Sequence, residues 1–336
     1  MSDYFVYNGP LQYFLCKLIA DERGLHNAVG IQYTDCGDFA SVFSEIDALL
    51  GGRKFDSLRF SSGSRFDFSP EDSVFLSNRF NPSEVEIYLA AKRRSSRICG
   101  FEDGLALYLP HSFKHPSWND GNKYIVAKNI TKTFLRKVGV SGVGLPSYFP
   151  LSGFDAFYSM FENIPGKEVS IPWYDLKPAL RAIRDRSPER GELSGSLILS
   201  QSLVTDGLAA EATYLKFLKS LVHRLTSSGE TVYFKPHPRD PVSVQELVNS
   251  IPGCRPLPEE FKRVPVEIFV AMNPEVELYG FWSSALAYSS GVFQQRSYSF
   301  AQVFFDSFDG DGDVAVRAVW DSVRPILEGC GVQLMR

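Results

Sequence analysis

The feature that most constrains this chain is an alternation of short apolar segments with amphipathic ones, which occurs twice. Strand-like and helix-like segments alternate over residues 4–101 and again over 196–327. Such alternation favours an α/β domain with a mainly parallel sheet. The polar segment 186–195, rich in turn-forming residues, is typical of an interdomain linker. We therefore expect two α/β domains, over 1–188 and 189–336, that face each other across a cleft.

Composition excludes several classes of protein. A chain of 336 residues exceeds the roughly 250–300 residues at which single cores stop growing. The formal net charge of −4 argues against a general nucleic-acid binder, which needs a basic surface. Five dispersed cysteines and the absence of a basic, apolar leader or a long apolar run favour a cytoplasmic protein. Peripheral association with a membrane and the oligomeric state stay open.

Three further elements of secondary structure are expected where the alternation of strand-like and helix-like segments is less clear. Residues 124–138 are predicted to be a helix, residues 299–304 a late strand, and residues 314–327 a C-terminal helix.

An acidic pair, Glu102 and Asp103, follows the strand expected at 97–101. A carboxylate at a strand end can act as a general base when geometry and substrate match. It can equally cap the helix that follows, which is the commoner role of such residues.

His237 lies between Pro236 and Pro238, after a strand expected at 231–234. The proline rings fix the backbone and stiffen the loop. Lys235 and Arg239 add positive charge, so the loop suits an anion or phosphate, with the imidazole as donor or general acid. A surface histidine without a function is the alternative.

Ser283 and Ser284 stand at a strand-to-helix junction. Free N–H groups and the helix dipole make such a junction favourable for phosphate, whereas a plain serine N-cap is the simpler interpretation. Glu267 lies in an apolar stretch, where its carboxylate either binds ribose hydroxyls or caps a helix.

Metal and cofactor motifs are missing from the sequence. No CxxC pair, Walker A loop, GxGxxG or HExxH occurs. The run Asp309-Gly-Asp311-Gly-Asp313 begins like a calcium loop, but Val314 replaces the required glycine and Trp320 the bidentate glutamate. We expect neither a metal nor a cofactor.

Together these clusters resemble the bacterial sialyltransferases of the GT-B type, above all the lipooligosaccharide enzymes of glycosyltransferase family 52 and the capsular polysialyltransferases. Those families share an acidic (D/E)(D/E)G motif, an HP motif and a serine motif, in that order. The matching positions here are Glu102-Asp103-Gly104, His237-Pro238 and Ser283-Ser284. Asn8-Gly9-Pro10 is similar to the family's first strand-to-helix loop, and Glu267 and Gln201 have family counterparts. The resemblance covers residues 4–290 in patches, and segment 110–190, which matches nothing, is expected to shape the acceptor site.

The resemblance implies a GT-B fold of two Rossmann-like domains, with the acceptor and catalytic base on the first and the nucleotide sugar on the second. It implies Asp103 as general base, His237 as general acid on the phosphate of a CMP-sugar, and Ser283 and Ser284 as phosphate ligands. Glu267 would bind the ribose or cytosine. The remaining assignments are Gln201, Lys235 and Pro238 on the donor side, and Glu102, Gly104, Asn8 and Gly9 on the acceptor side or in the cleft.

We therefore expect an inverting, metal-independent transferase that moves sialic acid from CMP-sialic acid to a hydroxyl of a lipooligosaccharide, O-antigen or capsule. The alternatives are another CMP-activated nonulosonic acid or Kdo as donor, a polysialyltransferase, and a transferase of glycerol phosphate or another phosphosugar. The non-enzyme alternative is a glycan-binding protein on a decayed GT-B fold.

Overall fold

The chain forms two compact units that divide between Leu180 and Arg181. This division lies N-terminal to the boundary expected between residues 188 and 189. The helix expected at 124–138 and most of segment 110–190 lie outside the described residues. The computed structural model describes residues 1–33, 39–51, 55–60, 66–77, 81–105, 153–162, 171–186, 193–227, 229–246, 251–307 and 314–335.

The first unit is built on a seven-stranded parallel sheet in the order β3-β2-β1-β4-β5-β6-β7. Its central strand β4, Ser-Val-Phe-Leu, is buried along its whole length, as a parallel strand covered on both faces should be. The strands are β1 (Asp3–Tyr7), β2 (Ala28–Tyr33), β3 (Asp56–Phe60), β4 (Ser73–Leu76), β5 (Arg97–Phe101), β6 (Ala156–Ser159) and β7 (Trp173–Asp175).

The helices of this unit begin where the sequence supplies start signals. Pro10 occupies the first turn of α1, where its missing N–H costs no hydrogen bond. At α3, the Asn81 side chain accepts a hydrogen bond from the Ser83 N–H at 2.9 Å, which caps the helix. The described helices are α1 (Pro10–Glu22), α2 (Ala40–Leu50), α3 (Pro82–Arg93) and α4 (Lys177–Arg186), the last of which crosses the unit boundary.

The second unit repeats the plan with a six-stranded parallel sheet in the order β10-β9-β8-β11-β12-β13. The strands are β8 (Gly195–Leu199), β9 (Val232–Lys235), β10 (Cys254–Pro256), β11 (Val276–Gly280), β12 (Ser297–Ser299) and β13 (Gln333–Leu334). The described helices are α5 (Glu211–Thr226), α6 (Val242–Gln245), α7 (Glu259–Lys262), α8 (Val266–Met272), α9 (Ser284–Phe293), α10 (Ala301–Asp306) and α11 (Val314–Gly329).

Each unit has its own aromatic core. In the first, the rings of Phe5 and Phe75 stack across β1 and β4 with centroids 4.3 Å apart. In the second, Phe281 lies at the centre of a cluster with Phe217, Phe300 and Phe304, at centroid distances of 4.6–6.2 Å. Two separate buried clusters explain why the chain makes two units instead of one enlarged core.

The strand expected at 299–304 is wrong. β12 ends at Ser299, and helix α10 begins at Ala301. Phe300 and Phe304 are four residues apart and both pack on Phe217, so the apolar pattern there has the helical period. The C-terminal helix is confirmed as α11.

No helix among the described ranges is both long and apolar enough to cross a bilayer.

Candidate functional site

Both sheets reverse their strand order at one point, and the motif residues follow the strands around these two points. In the second unit the reversal lies between β8 and β11, and in the first between β1 and β4. Loops that leave neighbouring strands in opposite directions open a crevice at the carboxyl edge, where ligands of α/β sheets bind. Gln201 follows β8, His237 follows β9, and Ser283 follows β11.

The loop that carries His237 is tightly bonded to itself. The His237 N–H donates to Asp240 Oδ2 at 2.7 Å, and the Arg239 N–H donates to His237 Nδ1 at 3.2 Å. Because Nδ1 accepts, the proton of the neutral imidazole resides on Nε2. Burial, and then the Arg239 charge, lower the pKa of His237, against the opposing effect of Asp240. The hydrogen bond to Nδ1 and the lowered pKa both favour a neutral ring with its N–H donor at Nε2. Pro238, the other half of the motif, is exposed beside it.

Ser283 is the N-cap of α9, and its Oγ accepts a hydrogen bond from the Ala285 N–H at 3.3 Å. Ser284 opens the helix and donates from Oγ to Glu267 Oε1 at 3.4 Å. The N-cap alternative for this serine pair is confirmed, because Ser283 caps a ten-residue helix. The start of such a helix favours an anion, and a phosphate site there stays a prediction.

Glu267 is buried and Lys235 is half-buried, and their charges act on each other near this junction. Burial raises the pKa of the Glu267 carboxyl, and the Lys235 charge and the Ser284 hydrogen bond work against that rise. Burial also lowers the pKa of Lys235 to about 8. The Lys235 ammonium donates to the carbonyls of Phe261 at 2.8 Å and Lys262 at 2.6 Å. Lys235 thus ties β9 to α7.

Gln201 connects the loop after β8 to the loop after β11. Its Oε1 accepts a hydrogen bond from the Trp282 N–H at 3.2 Å. Its own N–H donates to the phenol oxygen of Tyr214, a fully buried residue of α5 that also pairs with Ser200 Oγ at 2.9 Å. Tyr214 is a site-supporting residue that sequence reasoning missed, because its place in the apolar pattern of α5 gives no sign that its hydroxyl is used.

In the first unit, Asn8 and Gly9 form the turn between β1 and α1. The Asn8 N–H donates to Gln12 Oε1 at 2.7 Å, and the Gly9 carbonyl accepts from the Tyr13 N–H at 3.0 Å. A Cβ built on Gly9 would meet no atom of the described residues within 4 Å.

The acidic motif leaves the end of β5. Glu102 is completely buried, and its Oε2 accepts the Met160 N–H at 2.6 Å. Asp103 is half-buried, and Gly104 adopts φ +64°, a conformation that favours glycine. Burial thus separates the two neighbouring carboxylates: Glu102 holds β5 to β6, while Asp103 reaches the surface of this unit.

The carboxyl edge of β4 carries another pair that sequence reasoning missed. The fully buried Glu84 accepts the Ser77 N–H at 2.7 Å and the Ser77 hydroxyl at 3.1 Å. This carboxylate fixes the turn that leaves β4, the strand between those of the Asn8 turn and the acidic motif. Glutamate in the first turn of α3 was the available signal.

In the second unit, Glu267 contacts Ser284, and Gln201 contacts the same loop through the Trp282 N–H. Lys235 acts on Glu267 through its charge, and the histidine loop follows β9, the strand next to β8. In the first unit, the two motif loops follow β1 and β5, the strands on either side of β4. Among the described residues, no group of three or more His, Cys, Asp or Glu side chains could hold a metal ion.

A family model described as alpha-2,8-polysialyltransferase matches residues 67–302 of the chain. No curated protein matches its sequence.

Solved structures with a similar fold include nucleotide-sugar enzymes. The α/β-galactoside α-2,3-sialyltransferase from Photobacterium phosphoreum is 11% identical, with a TM-score of 0.53 over 99% of this chain and 97% of that one. The UDP-GlcNAc 2-epimerase from Neisseria meningitidis, bound to UDP-GlcNAc, is 12% identical, with a TM-score of 0.54 over 98% and 90%. The UDP-GlcNAc 2-epimerase from Methanocaldococcus jannaschii is 10% identical, with a TM-score of 0.52 over 96% and 93%. At these identities the likeness shows the fold alone, and it confirms the expected GT-B class of two α/β domains.

Proposed function

The chain belongs to the alpha-2,8-polysialyltransferase family, which makes it a sialyltransferase of glycan biosynthesis, and we propose that its donor is CMP-sialic acid and that transfer proceeds with inversion. The observation that carries this proposal is the arrangement at the carboxyl edge of the second sheet. There His237 follows β9 and the Ser283 N-cap follows β11, the strands on either side of β8, and the buried Glu267 of α8 accepts a hydrogen bond from Ser284. The donor phosphate belongs at this edge because it offers N–H and O–H donors and the positive end of α9.

The phosphate would be held by Ser283, Ser284 and His237. Ser283 and Ser284 offer hydroxyls at the first turn of α9, and His237 offers its Nε2–H. An anionic phosphate within hydrogen-bond distance favours the imidazolium, so donor binding offsets the depressed pKa of His237. The ring can then give a proton to the departing CMP oxygen. Pro238 stiffens this loop on the donor side.

Glu267 would bind the nucleoside, either at the ribose hydroxyls or at the cytosine amino group. Its carboxylate lies next to Ser284, at the start of α9. Lys235 supports the same site indirectly, because its ammonium donates hydrogen bonds to two carbonyls of α7. Gln201, which joins the loops after β8 and β11, would line the donor site.

Asp103 would be the general base in the first unit. The acceptor hydroxyl loses its proton to the Asp103 carboxylate while its oxygen forms a bond to the anomeric carbon of sialic acid. The bond from that carbon to the CMP oxygen breaks, and its electron pair leaves with CMP, which His237 protonates. Glu102 serves as support, since its carboxylate is committed to Met160. Gly104, Asn8 and Gly9 would let an acceptor approach the backbone closely.

The reaction is proposed to need no metal, because one phosphate charge can be met by His237, the two serines and the dipole of α9. The test is the rate of CMP release in excess EDTA. An unchanged rate is expected, and loss of activity that Mg²⁺ or Mn²⁺ restores would contradict this part of the proposal.

Family membership favours the polysialyltransferase alternative for the acceptor, so a sialylated glycan is the expected substrate. Purified full-length protein is incubated with CMP-sialic acid and a panel of sialylated and galactoside acceptors, and CMP release and product length are measured. We expect CMP release only with acceptor, and fastest with a sialylated one. CMP-Kdo and CMP-activated pseudaminic or legionaminic acid serve as competitors, since they present the same phosphate. No CMP release with any acceptor and no CMP binding would sink the proposal and favour a decayed glycan-binding fold.

We also propose that the protein attaches peripherally to an anionic membrane surface through α5. The exposed side of this helix carries Lys216, Lys219, His223 and Arg224, while the chain as a whole has a net charge of −4. Beside it lies a pocket of about 220 Å³. Its lining combines cations and hydroxyls with apolar side chains: Lys216, Phe217, Ser220, Leu221, Arg224, Phe300, Val303, Ser307 and Met335. Basic residues near a surface attract anionic lipid by about 1 kcal/mol each.

The test is sedimentation with vesicles of phosphatidylglycerol and phosphatidylcholine, compared with phosphatidylcholine alone. Replacing Lys216, Lys219 and Arg224 by glutamine should abolish the preference for anionic vesicles. The matched control neutralises three other exposed cations, Lys92, Arg93 and Arg255, and should keep that preference. Equal binding by both triple variants, or none by the wild type, would contradict attachment through α5.

A further inference from the structure

Arg239, two residues after His237, joins the loop after β9 to the loop after β8. Its guanidinium contacts Asp206 Oδ1 at 2.8 Å through Nη1, and Ser202 Oγ at 2.9 Å through Nη2. A longer contact of 3.3 Å runs from Nη2 to Asp206 Oδ2. A planar guanidinium that grips a carboxylate and a hydroxyl together has one preferred orientation, unlike a single-point lysine contact.

The partners of Arg239 are themselves held in place. The Ser202 hydroxyl donates to Asp206 Oδ2 at 2.6 Å. The hydroxyl of Thr205 donates to the Arg239 carbonyl, so the backbone of Arg239 is anchored as well as its side chain. Ser202 is buried, and the segment that contains it begins at Gln201. The contact therefore joins the segment that follows Gln201 to the histidine loop.

This anchoring acts on His237 through the backbone. The Arg239 N–H is the group that donates to His237 Nδ1, while Asp240 Oδ2 accepts the His237 N–H. A shift of the Arg239 backbone would remove the hydrogen bond that fixes the tautomer and ring orientation of His237. Orientation of an imidazole through its second nitrogen is a general way to prepare it for proton transfer.

We propose that Arg239 is a positioning residue for His237, clamped by Asp206, Ser202 and Thr205 so that the imidazole keeps its Nε2–H available. This inference rests on the proposed role of His237 in sialic acid transfer. The ion pair is largely exposed, with 60% of the Arg239 side chain and 34% of the Asp206 side chain accessible. Such pairs add little to the free energy of unfolding. We therefore expect this pair to act by orienting His237 and through the charges it places near that ring.

The charges of Arg239 and Asp206 distinguish a positioning role from a purely structural contact, because they change the pKa of His237 in opposite directions. Asp240, Arg239 and Asp206 are the charged groups that act on His237, and burial is the largest effect on its pKa. Arg239 lowers that pKa, whereas Asp240 and Asp206 raise it. Arg239→Gln should therefore raise the pKa of His237, and Asp206→Asn should lower it. Both variants break the same ion pair, so a purely structural effect would move the pKa in the same direction in both.

The experiment is an NMR titration of the His237 ring in the full chain, with its signal assigned by its loss in His237→Gln. We expect shifts of opposite sign in the two single variants and a small net shift in the double variant. In transfer assays each single variant should lose about ten- to hundredfold in kcat, the scale of a misplaced catalytic group, with the KM for CMP-sialic acid changed less. Arg239→Lys, which keeps the charge but not the planar contact, should keep the wild-type pKa and still lose kcat. Arg255→Gln removes an equal charge from the exposed strand β10 and should change neither quantity.

Three outcomes would overturn the inference. Shifts of the same sign in Arg239→Gln and Asp206→Asn would mark a general loosening of the loops. Unchanged kcat in both variants would show that the contact is only a surface ion pair. Loss of CMP binding in Arg239→Gln alone, with the pKa of His237 unmoved, would make Arg239 a phosphate ligand. If His237→Gln instead retains transfer, the proposed role of His237 fails, while the titration still reports whether the clamp exists.

Discussion

At the scale of single residues, burial gives adjacent members of one motif different roles. Glu102 and Asp103 are both acidic and both follow β5, yet only Asp103 has a side chain that reaches the surface of its unit. The Glu102 carboxylate accepts a hydrogen bond from the N–H of Met160, the residue that follows β6. The sequence could identify the pair as important but could not divide its roles, because the partner of Glu102 lies far along the chain.

Removing the Glu102 carboxylate should change the free energy of unfolding more than the rate of sialic acid transfer. Glu102→Ala leaves the Met160 N–H buried without its acceptor, so the free energy of unfolding should fall by about 1–3 kcal/mol. Glu102→Gln keeps an oxygen acceptor and should lose much less. Chemical unfolding followed by tryptophan fluorescence measures both. If the alanine variant unfolds like the wild type, the Glu102–Met160 contact is not a stabilising one.

At the scale of helices and strands, most of the regular pattern could be predicted. The strands β4 and β5 and helix α3 follow from short apolar runs and a proline start. The short strands β7 and β13 carry little signal, since three and two residues give no period, and their place is fixed by neighbouring strands. The error at 299–304 has a different origin: the spacing of Phe300 and Phe304 fits a helix, but in so short an apolar run only their common packing on Phe217 decides against a strand.

Strand glycines offer a matched test of packing at the two sheets. A Cβ on Gly100 of β5 would lie 2.3 Å from Cδ2 of the Phe157 ring, whereas a Cβ on Gly280 of β11 would lie 3.4 Å from the nearest atom, on Leu286. Gly100→Ala should therefore destabilise the protein by about 1–3 kcal/mol through overpacking. Gly280→Ala should stay within about 0.5 kcal/mol of the wild type.

The midpoint of urea unfolding reports both glycine variants. Because Gly100 lies just before the acidic motif, Gly100→Ala should also reduce the rate of sialic acid transfer. Equal midpoints for the two variants would show that the Phe157 ring moves aside without cost.

At the scale of the whole molecule, the fold and the class of reaction follow from features distributed over both units. Two parallel sheets, each with a strand reversal flanked by motif residues, place the histidine and serine motifs in one unit and the acidic motif in the other. The order of the acidic, histidine and serine motifs predicts the family, which the match over residues 67–302 confirms. The supporting roles of Tyr214 and Asp206 could not be predicted, because these residues act through contacts with other segments of the chain.

The most direct test of the account separates donor binding from transfer in two variants of the full chain. CMP binding is measured by calorimetry and CMP release from CMP-sialic acid is measured with a sialylated acceptor. Asp321→Asn and His26→Gln, which alter exposed residues, are the controls. We expect Asp103→Asn to bind CMP like the wild type but to transfer no sialic acid, and His237→Gln to be impaired in both CMP binding and transfer. Transfer at the wild-type rate by Asp103→Asn, or loss of CMP binding in that variant, would contradict the assignment of Asp103 as the base that activates the acceptor.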